Sequence, residues 1–165
     1  MTTGRLRVLF LCTGNSARSQ MAEALLRQIS HDRIEVASAG SDPRLEIDPA
    51  AREVMERIYR LDLAGQEPKH WERFTGDRFD YVITLCARAA ETCPVFPGEP
   101  DRIQWHLDDP AAAEGSDAER RRAFERTASD LMARLRIWLA LPKLRASLDD
   151  AQRGLSPLGR GQIQL

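Results

Sequence analysis

The sequence lacks a long apolar run and an excess of either charge. No apolar stretch approaches the length that a membrane-spanning helix needs, so neither a transmembrane helix nor a membrane partner is expected. The 24 basic residues of the 165-residue chain are balanced by 25 acidic ones, for a net charge of −1. A nucleic-acid binder normally carries a basic excess, so nucleic acid is not an expected partner. The apolar stretch Val8–Cys12 is too short and too early for a secretory signal, which predicts a cytoplasmic protein.

Signatures of metal and nucleotide sites are also missing. The chain has three cysteines, none of them in a Cys-x-x-Cys pair, and an odd number makes a poor disulfide framework. The three histidines show no metal-ligand spacing, so neither a metal ion nor another cofactor is expected. No G-x-x-x-x-G-K-[ST] loop occurs, and no G-x-G-x-x-G follows the first predicted strand. These absences exclude the common nucleotide-binding loops.

Apolar strands that alternate with helices are what the sequence does contain. Hydrophobic residues make up 42% of the chain and charged residues 30%, which is typical of a globular domain. The pattern predicts strands at Val8–Leu11, Ile34–Ser38, Asp80–Leu85 and Ile103–Leu107. This alternation indicates an α/β fold with a parallel sheet and helices on both faces. Ligands of such sheets bind at the carboxyl ends of the strands.

Apolar spacing and capping residues predict three helices. The first covers residues 18–29. The second opens at Asp48–Pro49 and is expected to bury Val54, Met55 and Ile58. The third opens with the capping box Ser116–Glu119 and ends at residue 142, a proline. We therefore expect one domain over residues 1–141 and a C-terminal extension over residues 142–165. Residues 143–148 could add a helical turn, but the glycines and the proline that follow them indicate a frayed, partly disordered tail.

The most distinctive segment follows the first strand and reads Cys12-Thr13-Gly14-Asn15-Ser16-Ala17-Arg18-Ser19. Its backbone N–H groups can curl into a nest at the start of a helix, and Gly14 permits the tight curvature. Arg18 offers a forked pair of donors to an oxyanion. The same positive field predicts a lowered pKa and a nucleophilic thiolate at Cys12, held by the Ser19 hydroxyl. The loop fits a tetrahedral oxyanion such as phosphate, arsenate or sulfate.

Cys86 and Cys93 form a second feature with two interpretations. The intervening residues 87–92 have helix propensity, and seven residues of regular helix rise about 10 Å, which is too far for a disulfide. A loop or an unwound helix would permit the bond. Otherwise the two cysteines are small hydrophobic residues packed in the fold.

Asp109 follows the last predicted strand and precedes a proline. Because a residue before proline favours extended backbone, Asp109 can project toward the same edge of the sheet as a general acid. A purely structural turn at Asp108-Asp109-Pro110 is the alternative.

These segments together resemble a known family. Residues 8–24, 84–86, 93–94 and 105–111 are similar to the thioredoxin-coupled arsenate reductases, which share the fold of the low-molecular-weight protein tyrosine phosphatases. The resemblance covers roughly residues 5–141. It implies a four-stranded parallel sheet flanked by helices, in agreement with the predicted strands.

The resemblance implies a role for each candidate residue. Cys12 would attack arsenate, Arg18 and the loop amides would bind the oxyanion, and Asp109 would protonate the leaving hydroxide. Cys86 would then attack Cys12 and release arsenite, and Cys93 would attack Cys86. Thioredoxin would reduce the resulting Cys86–Cys93 disulfide. The enzyme is expected to act as a monomer, with phosphate or sulfate as competing oxyanions.

Two other functions stay open at this point. The first is a tyrosine phosphatase acting through a Cys12 phosphoenzyme, although such enzymes usually carry proline and an aromatic residue where this chain has Gln20 and Ala111. The second is an anion-sensing module without turnover. A glutaredoxin or a small thiol in place of thioredoxin is also compatible with the sequence.

Some members of the family that the chain resembles bind a potassium ion beside the loop. The matching ligands would be Asn15, Glu23 and Ser38, and the family's acidic fourth position falls near Lys69. A lysine at that position would repel the ion or replace it.

Overall fold

The computed structural model describes residues 4–154, and its centre is a parallel four-stranded sheet. The strands are β1 (Leu6–Cys12), β2 (Ile34–Gly40), β3 (Tyr81–Thr84) and β4 (Asp101–Gln104). Their order across the sheet is β2-β1-β3-β4. In the register, Leu9 pairs with Ala37 on one side and with Val82 on the other. The expected α/β fold is confirmed.

Strand β1 lies in the middle of the sheet because its side chains are apolar on both faces. Leu6, Val8 and Phe10 contribute to the larger core cluster, whereas Leu9 and Leu11 contribute to the smaller one on the opposite face. All five are at most 1% exposed. A strand buried in this way fixes the position of the loop that follows its carboxyl end.

Helices cover both faces of the sheet. Those in the structure are α1 (Arg18–Ile29), α2 (Pro49–Tyr59), α3 (Ala87–Thr92), α4 (Asp117–Leu139) and α5 (Pro142–Gln152). Apolar side chains of α1, α2, α4 and α5 share the larger cluster, and α3 packs with a 3-10 turn at Trp71–Phe74 on the other face. The predicted caps are confirmed: the Asp48 side chain accepts from the Ala50 amide, and the Ser116 hydroxyl accepts from the Glu119 amide.

Three details differ from the sequence prediction. The last strand lies at Asp101–Gln104 rather than at Ile103–Leu107, because an exposed edge strand needs no apolar run. Backbone bonds from Trp105 and Leu107 nevertheless continue alongside the end of β3. Ile58 is 52% exposed and is not part of the α2 core face, which Ala51, Val54 and Met55 form instead.

The third difference concerns the C-terminal extension. Its first part is the helix α5, which buries Leu144 and Leu148 in the larger core cluster. The helical turn that the sequence allows at residues 143–148 is therefore a full helix, the frayed tail does not begin at residue 142, and the core extends past the expected boundary at residue 141. The remainder of the predicted tail, from residue 155 onward, lies outside the described residues. Within residues 4–154, no helix is both long and apolar enough to cross a membrane.

Candidate active site

The loop between β1 and α1 is held by hydrogen bonds on its outer side. The five consecutive carbonyl groups of residues 12–16 all accept hydrogen bonds from groups outside the loop curve. The donors are the amides of Ser41, Asp42, Arg44 and Asp48 and the Gln20 side chain. Because the N–H and C=O of a trans peptide point in opposite directions, these contacts leave the amides free to face the loop centre. The loop is thus anchored along its whole outer side, which is the arrangement that a nest of inward-facing donors requires.

Asn15 is the residue that shapes this loop. It adopts a left-handed φ of 46°, and its amide donates to Cys12 Sγ over 3.2 Å. Its side-chain Oδ1 accepts from Gln20 Nε2 and from the Lys69 amide, which fixes the orientation of the carboxamide. The Nδ2 group is therefore directed to Ser19 Oγ at 2.8 Å and to Ser38 Oγ at 3.0 Å.

The Cys12 thiol and the Ser19 hydroxyl are in direct contact, with 2.8 Å between Sγ and Oγ. Since Ser19 Oγ already accepts from Asn15, its own hydrogen is free to point at the sulfur. This arrangement favours the thiolate, as do the Arg18 charge and the backbone amides of Asn15 and Ser19, all of which lower the pKa of Cys12. Burial of the sulfur, which is 2% exposed, outweighs them and raises that pKa.

The expectation of a lowered Cys12 pKa is therefore wrong for this geometry. The sequence shows the donors that stabilise a thiolate, but it does not show the desolvation that opposes them. A buried thiol in a ring of donors becomes a nucleophile when a neighbouring base takes its proton. A bound oxyanion dianion is such a base.

Arg18 and Asp109 meet across the cleft. Arg18 Nη1 donates to the Leu107 carbonyl over 2.9 Å, and Arg18 Nη2 lies 4.0 Å from Asp109 Oδ2. Asp109 also accepts from the Ala111 amide at 3.0 Å, where a 3-10 turn begins. The loop that follows β4 is thus attached to the oxyanion loop through one guanidinium, and the Asp109 carboxyl faces the cleft.

The other two cysteines stand at the two ends of α3. Cys86 Sγ lies 3.5 Å from Thr13 Oγ1 of the oxyanion loop and accepts from the Ala89 amide. Cys93 follows the last residue of α3, its thiol donates to the Pro94 carbonyl, and burial raises its pKa. All three cysteines are free thiols. The structure therefore brings Cys86 to the rim of the site and leaves Cys93 at the far end of the helix.

The cleft above Cys12 has a volume of about 330 Å³. It is lined by residues 12–18, Asp109 and Ala111 and, in addition, by Asp42, Pro43 and Arg44. Sequence analysis missed the last three, which belong to the loop after β2. Residues 41–44 carry no recognisable motif. The one feature of the sequence that could have indicated them is that they follow β2, which ends at the same edge of the sheet as Cys12.

The region matching a potassium site contains cationic side chains. The buried Glu23 pairs with Arg27 at 3.2 Å and accepts from Ser38 Oγ at 3.4 Å. Burial raises the Glu23 pKa and lowers that of Lys69, whose Nζ donates to the Glu67 carbonyl. No group of three or more histidine, cysteine or acidic side chains within residues 4–154 is arranged to hold a metal ion.

Fold and site together define a class of parallel α/β proteins with a cysteine inside a loop sized for an oxyanion. The family model of the low molecular weight phosphotyrosine protein phosphatases matches residues 7–152, and the chain belongs to that family. The resemblance stated from the sequence motifs is thereby confirmed.

Several relatives are named arsenate reductases. The one from Halalkalibacterium halodurans is 37% identical over 78% of this chain and 91% of its own. The solved structure of an arsenate reductase in its phosphate-binding state superposes with a TM-score of 0.65 at 29% identity, covering 82% of this chain and 97% of the other. The thioredoxin-dependent arsenate reductase of Corynebacterium glutamicum superposes with a TM-score of 0.59 at 30% identity, covering 84% of this chain and 65% of the other.

Proposed function

We propose that this protein reduces arsenate to arsenite through Cys12 and that thioredoxin regenerates it. The observation that carries the proposal is the contact between Thr13 Oγ1 and Cys86 Sγ, which places a second thiol at the rim of the oxyanion loop. Hydrolysis of a phosphoester has no use for that thiol, whereas reduction of arsenic needs a partner for Cys12. Relatives named arsenate reductases support the same activity.

In the first step, Cys12 transfers its proton to the bound arsenate dianion and attacks the arsenic atom. The loop amides and Arg18 bind the oxygens, on which negative charge accumulates. Asp109 protonates the oxygen opposite the sulfur, which leaves as water while an As–S bond forms. The 4.0 Å between Arg18 Nη2 and Asp109 Oδ2 is short enough for both side chains to contact one bound oxyanion, which supports this assignment.

In the second step, the Cys86 thiolate attacks Cys12 Sγ. An S–S bond forms as the As–S bond breaks, the electron pair passes to arsenic, and arsenite leaves. Cys93 then attacks Cys86 Sγ and releases Cys12 as a thiolate. The dithiol of thioredoxin reduces the Cys86–Cys93 disulfide, so two electrons are consumed for each arsenate.

The attack of Cys93, the third thiol, on Cys86 requires α3 to unwind. Cys86 and Cys93 stand at opposite caps of this six-residue helix, and regular helical geometry separates residues so spaced by about 10 Å. A disulfide needs Cα atoms within about 7 Å. Oxidation therefore converts α3 into a loop and exposes the disulfide to thioredoxin.

A coupled assay tests the proposal. Purified protein with thioredoxin, thioredoxin reductase and NADPH should oxidise NADPH in proportion to added arsenate, and it should not do so with phosphate. Absence of arsenate-dependent NADPH oxidation with the thioredoxin system would contradict the role of thioredoxin. Absence of this oxidation with glutaredoxin and glutathione as well would contradict arsenate reduction itself.

The second candidate function is phosphomonoester hydrolysis, which the family membership favours because the oxyanion loop is the same. A Cys12 phosphoenzyme would need neither Cys86 nor Cys93. We expect at most a weak activity of this kind, because the cleft has Ala111 where phosphatases of this fold usually carry an aromatic residue. We also expect the enzyme to act as a monomer in the cytoplasm, where thioredoxin keeps such thiols reduced.

A further inference from the structure

The catalytic cleft contains a second guanidinium, which the mechanism above does not use. Arg44 belongs to the loop after β2 and lines the same cleft as Cys12 and Arg18. Its amide donates to the Gly14 carbonyl over 2.9 Å, so its backbone is attached directly to the oxyanion loop. This bond fixes the point from which the side chain extends.

The Arg44 side chain lies along the surface of Gly14. A Cβ at Gly14 would stand 3.3 Å from Arg44 Nε, which is tighter than ordinary van der Waals contact, and 3.4 Å from Arg44 Cγ. The absence of a side chain at Gly14 therefore gives Arg44 room to pack on the loop. The Arg44 side chain therefore lies beside the peptide groups of the oxyanion loop.

The two arginines of the cleft differ in their partners. Arg18 is 11% exposed and is engaged by the Leu107 carbonyl and by Asp109. Arg44 is exposed, and within residues 4–154 no hydrogen bond or ion pair engages its guanidinium. A free guanidinium at the mouth of an oxyanion cleft has its donors available for the ligand.

We propose that Arg44 is a specificity-determining residue that binds the outward-facing oxygen of a free tetrahedral oxyanion. Three oxygens of such a ligand face the loop amides and Arg18, and the fourth points away from Cys12 Sγ toward the cleft mouth. In a phosphomonoester that fourth oxygen carries an organic group. Arg44 therefore favours inorganic oxyanions over esters, an inference that rests on the proposed function and specifies its substrate class.

Binding of two matched ligands tests the role of Arg44. Inorganic phosphate and methylphosphonate are both tetrahedral, but a methyl group replaces the fourth oxygen in the second. Their dissociation constants are measured by calorimetry on Cys12→Ser protein, with and without Arg44→Gln, at a pH where both ligands are dianions. Loss of a charge-assisted hydrogen bond should weaken phosphate binding about tenfold and methylphosphonate binding less than about twofold.

The matched control is Arg145→Gln, which removes an exposed arginine that lines a different cleft, between α4 and α5. It should change neither dissociation constant. An equal loss for both ligands would mean that Arg44 contributes general charge and no selectivity, and no loss for either would remove it from the site. Both results would overturn the proposal.

A second measurement keeps the catalytic thiol. The two ligands are tested for how well they protect Cys12 from alkylation by iodoacetamide. Arg44→Gln should weaken the protection given by phosphate and leave that given by methylphosphonate nearly unchanged. Neither measurement involves arsenate turnover. Failure of the reductase activity would therefore appear in the coupled assay and not here, which separates the two proposals.

Discussion

The oxyanion loop and the α3 segment, residues 86–93, both carry reactive cysteines, but the structure holds them very differently. In the loop, each carbonyl from residue 12 to residue 16 is bonded, and Asn15 and Ser19 are fully buried. In the α3 segment, Ala89 is the one buried residue of a six-residue helix. The difference separates a site built to stabilise charge without moving from a segment built to change shape.

The largest expected effect comes from the oxyanion loop. Cys12→Ser should lower both arsenate reduction and any phosphomonoester hydrolysis by about a thousandfold or more, because a serine hydroxyl is not ionised by this loop. Initial rates in the coupled assay and with p-nitrophenyl phosphate measure the two activities. More than trace turnover of either substrate would remove Cys12 from the mechanism.

A smaller effect is expected at Ser19. Its hydroxyl lowers the pKa of Cys12, so Ser19→Ala should raise that pKa further above its ordinary value. The thiolate fraction then falls by a constant factor at every pH below the Cys12 pKa, where we expect about a tenfold loss of kcat/KM that shrinks only as the pH rises through that pKa. The control is Ser41→Ala, whose buried hydroxyl has no hydrogen-bond partner within residues 4–154. A loss that is the same at every pH would contradict the role given to Ser19.

Changes in the oxyanion loop are expected to slow the reaction, whereas a change that loosens α3 is expected to speed formation of the Cys86–Cys93 disulfide. Arg88 is an exposed residue of α3, and glycine there costs the helix about 1 kcal/mol relative to alanine. Arg88→Gly should therefore form the Cys86–Cys93 disulfide about fivefold faster than Arg88→Ala after arsenate is added. Quenched-flow thiol trapping follows the reaction. Equal rates in the two variants would show that unwinding of α3 does not limit this step.

The smallest effect concerns potassium. Glu23 pairs with Arg27, and Lys69 lies beside it, so cationic side chains already stand where the ion would bind. We expect neither kcat/KM nor Tm to rise when potassium replaces sodium at constant ionic strength. Lys69→Asp should create a potassium dependence, because a carboxylate supplies an oxygen ligand. A clear rise in the unaltered protein would contradict this prediction.

The sequence alone predicts the parts of the molecule that depend on local pattern. The apolar run of β1, the glycine-containing loop and the helical spacing of α1 are adjacent in the chain, so the position of Cys12 and Arg18 at the carboxyl edge follows from them. The Asp48 and Ser116 caps are local as well, and both are confirmed.

Features that depend on tertiary contacts are missed or misjudged. Arg44 reaches the cleft through a backbone bond to Gly14, thirty positions away, which leaves no trace in either segment. The raised pKa of Cys12 depends on how deeply the fold buries the sulfur. The helix α5 has Leu144 and Leu148 as its main apolar residues, too few to distinguish it from a tail before the core is known.

The central claim is that the two regions exchange a disulfide, and the most direct test is the location of that bond after one turnover. Cys93→Ser protein treated with arsenate should release one arsenite per chain, stop, and carry a Cys12–Cys86 disulfide in peptide mass mapping. Unaltered protein should carry Cys86–Cys93 instead, and Cys86→Ser should be impaired in releasing arsenite. Undiminished multiple turnover of Cys93→Ser with thioredoxin would contradict the account, because Cys93 would then have no part in the reaction.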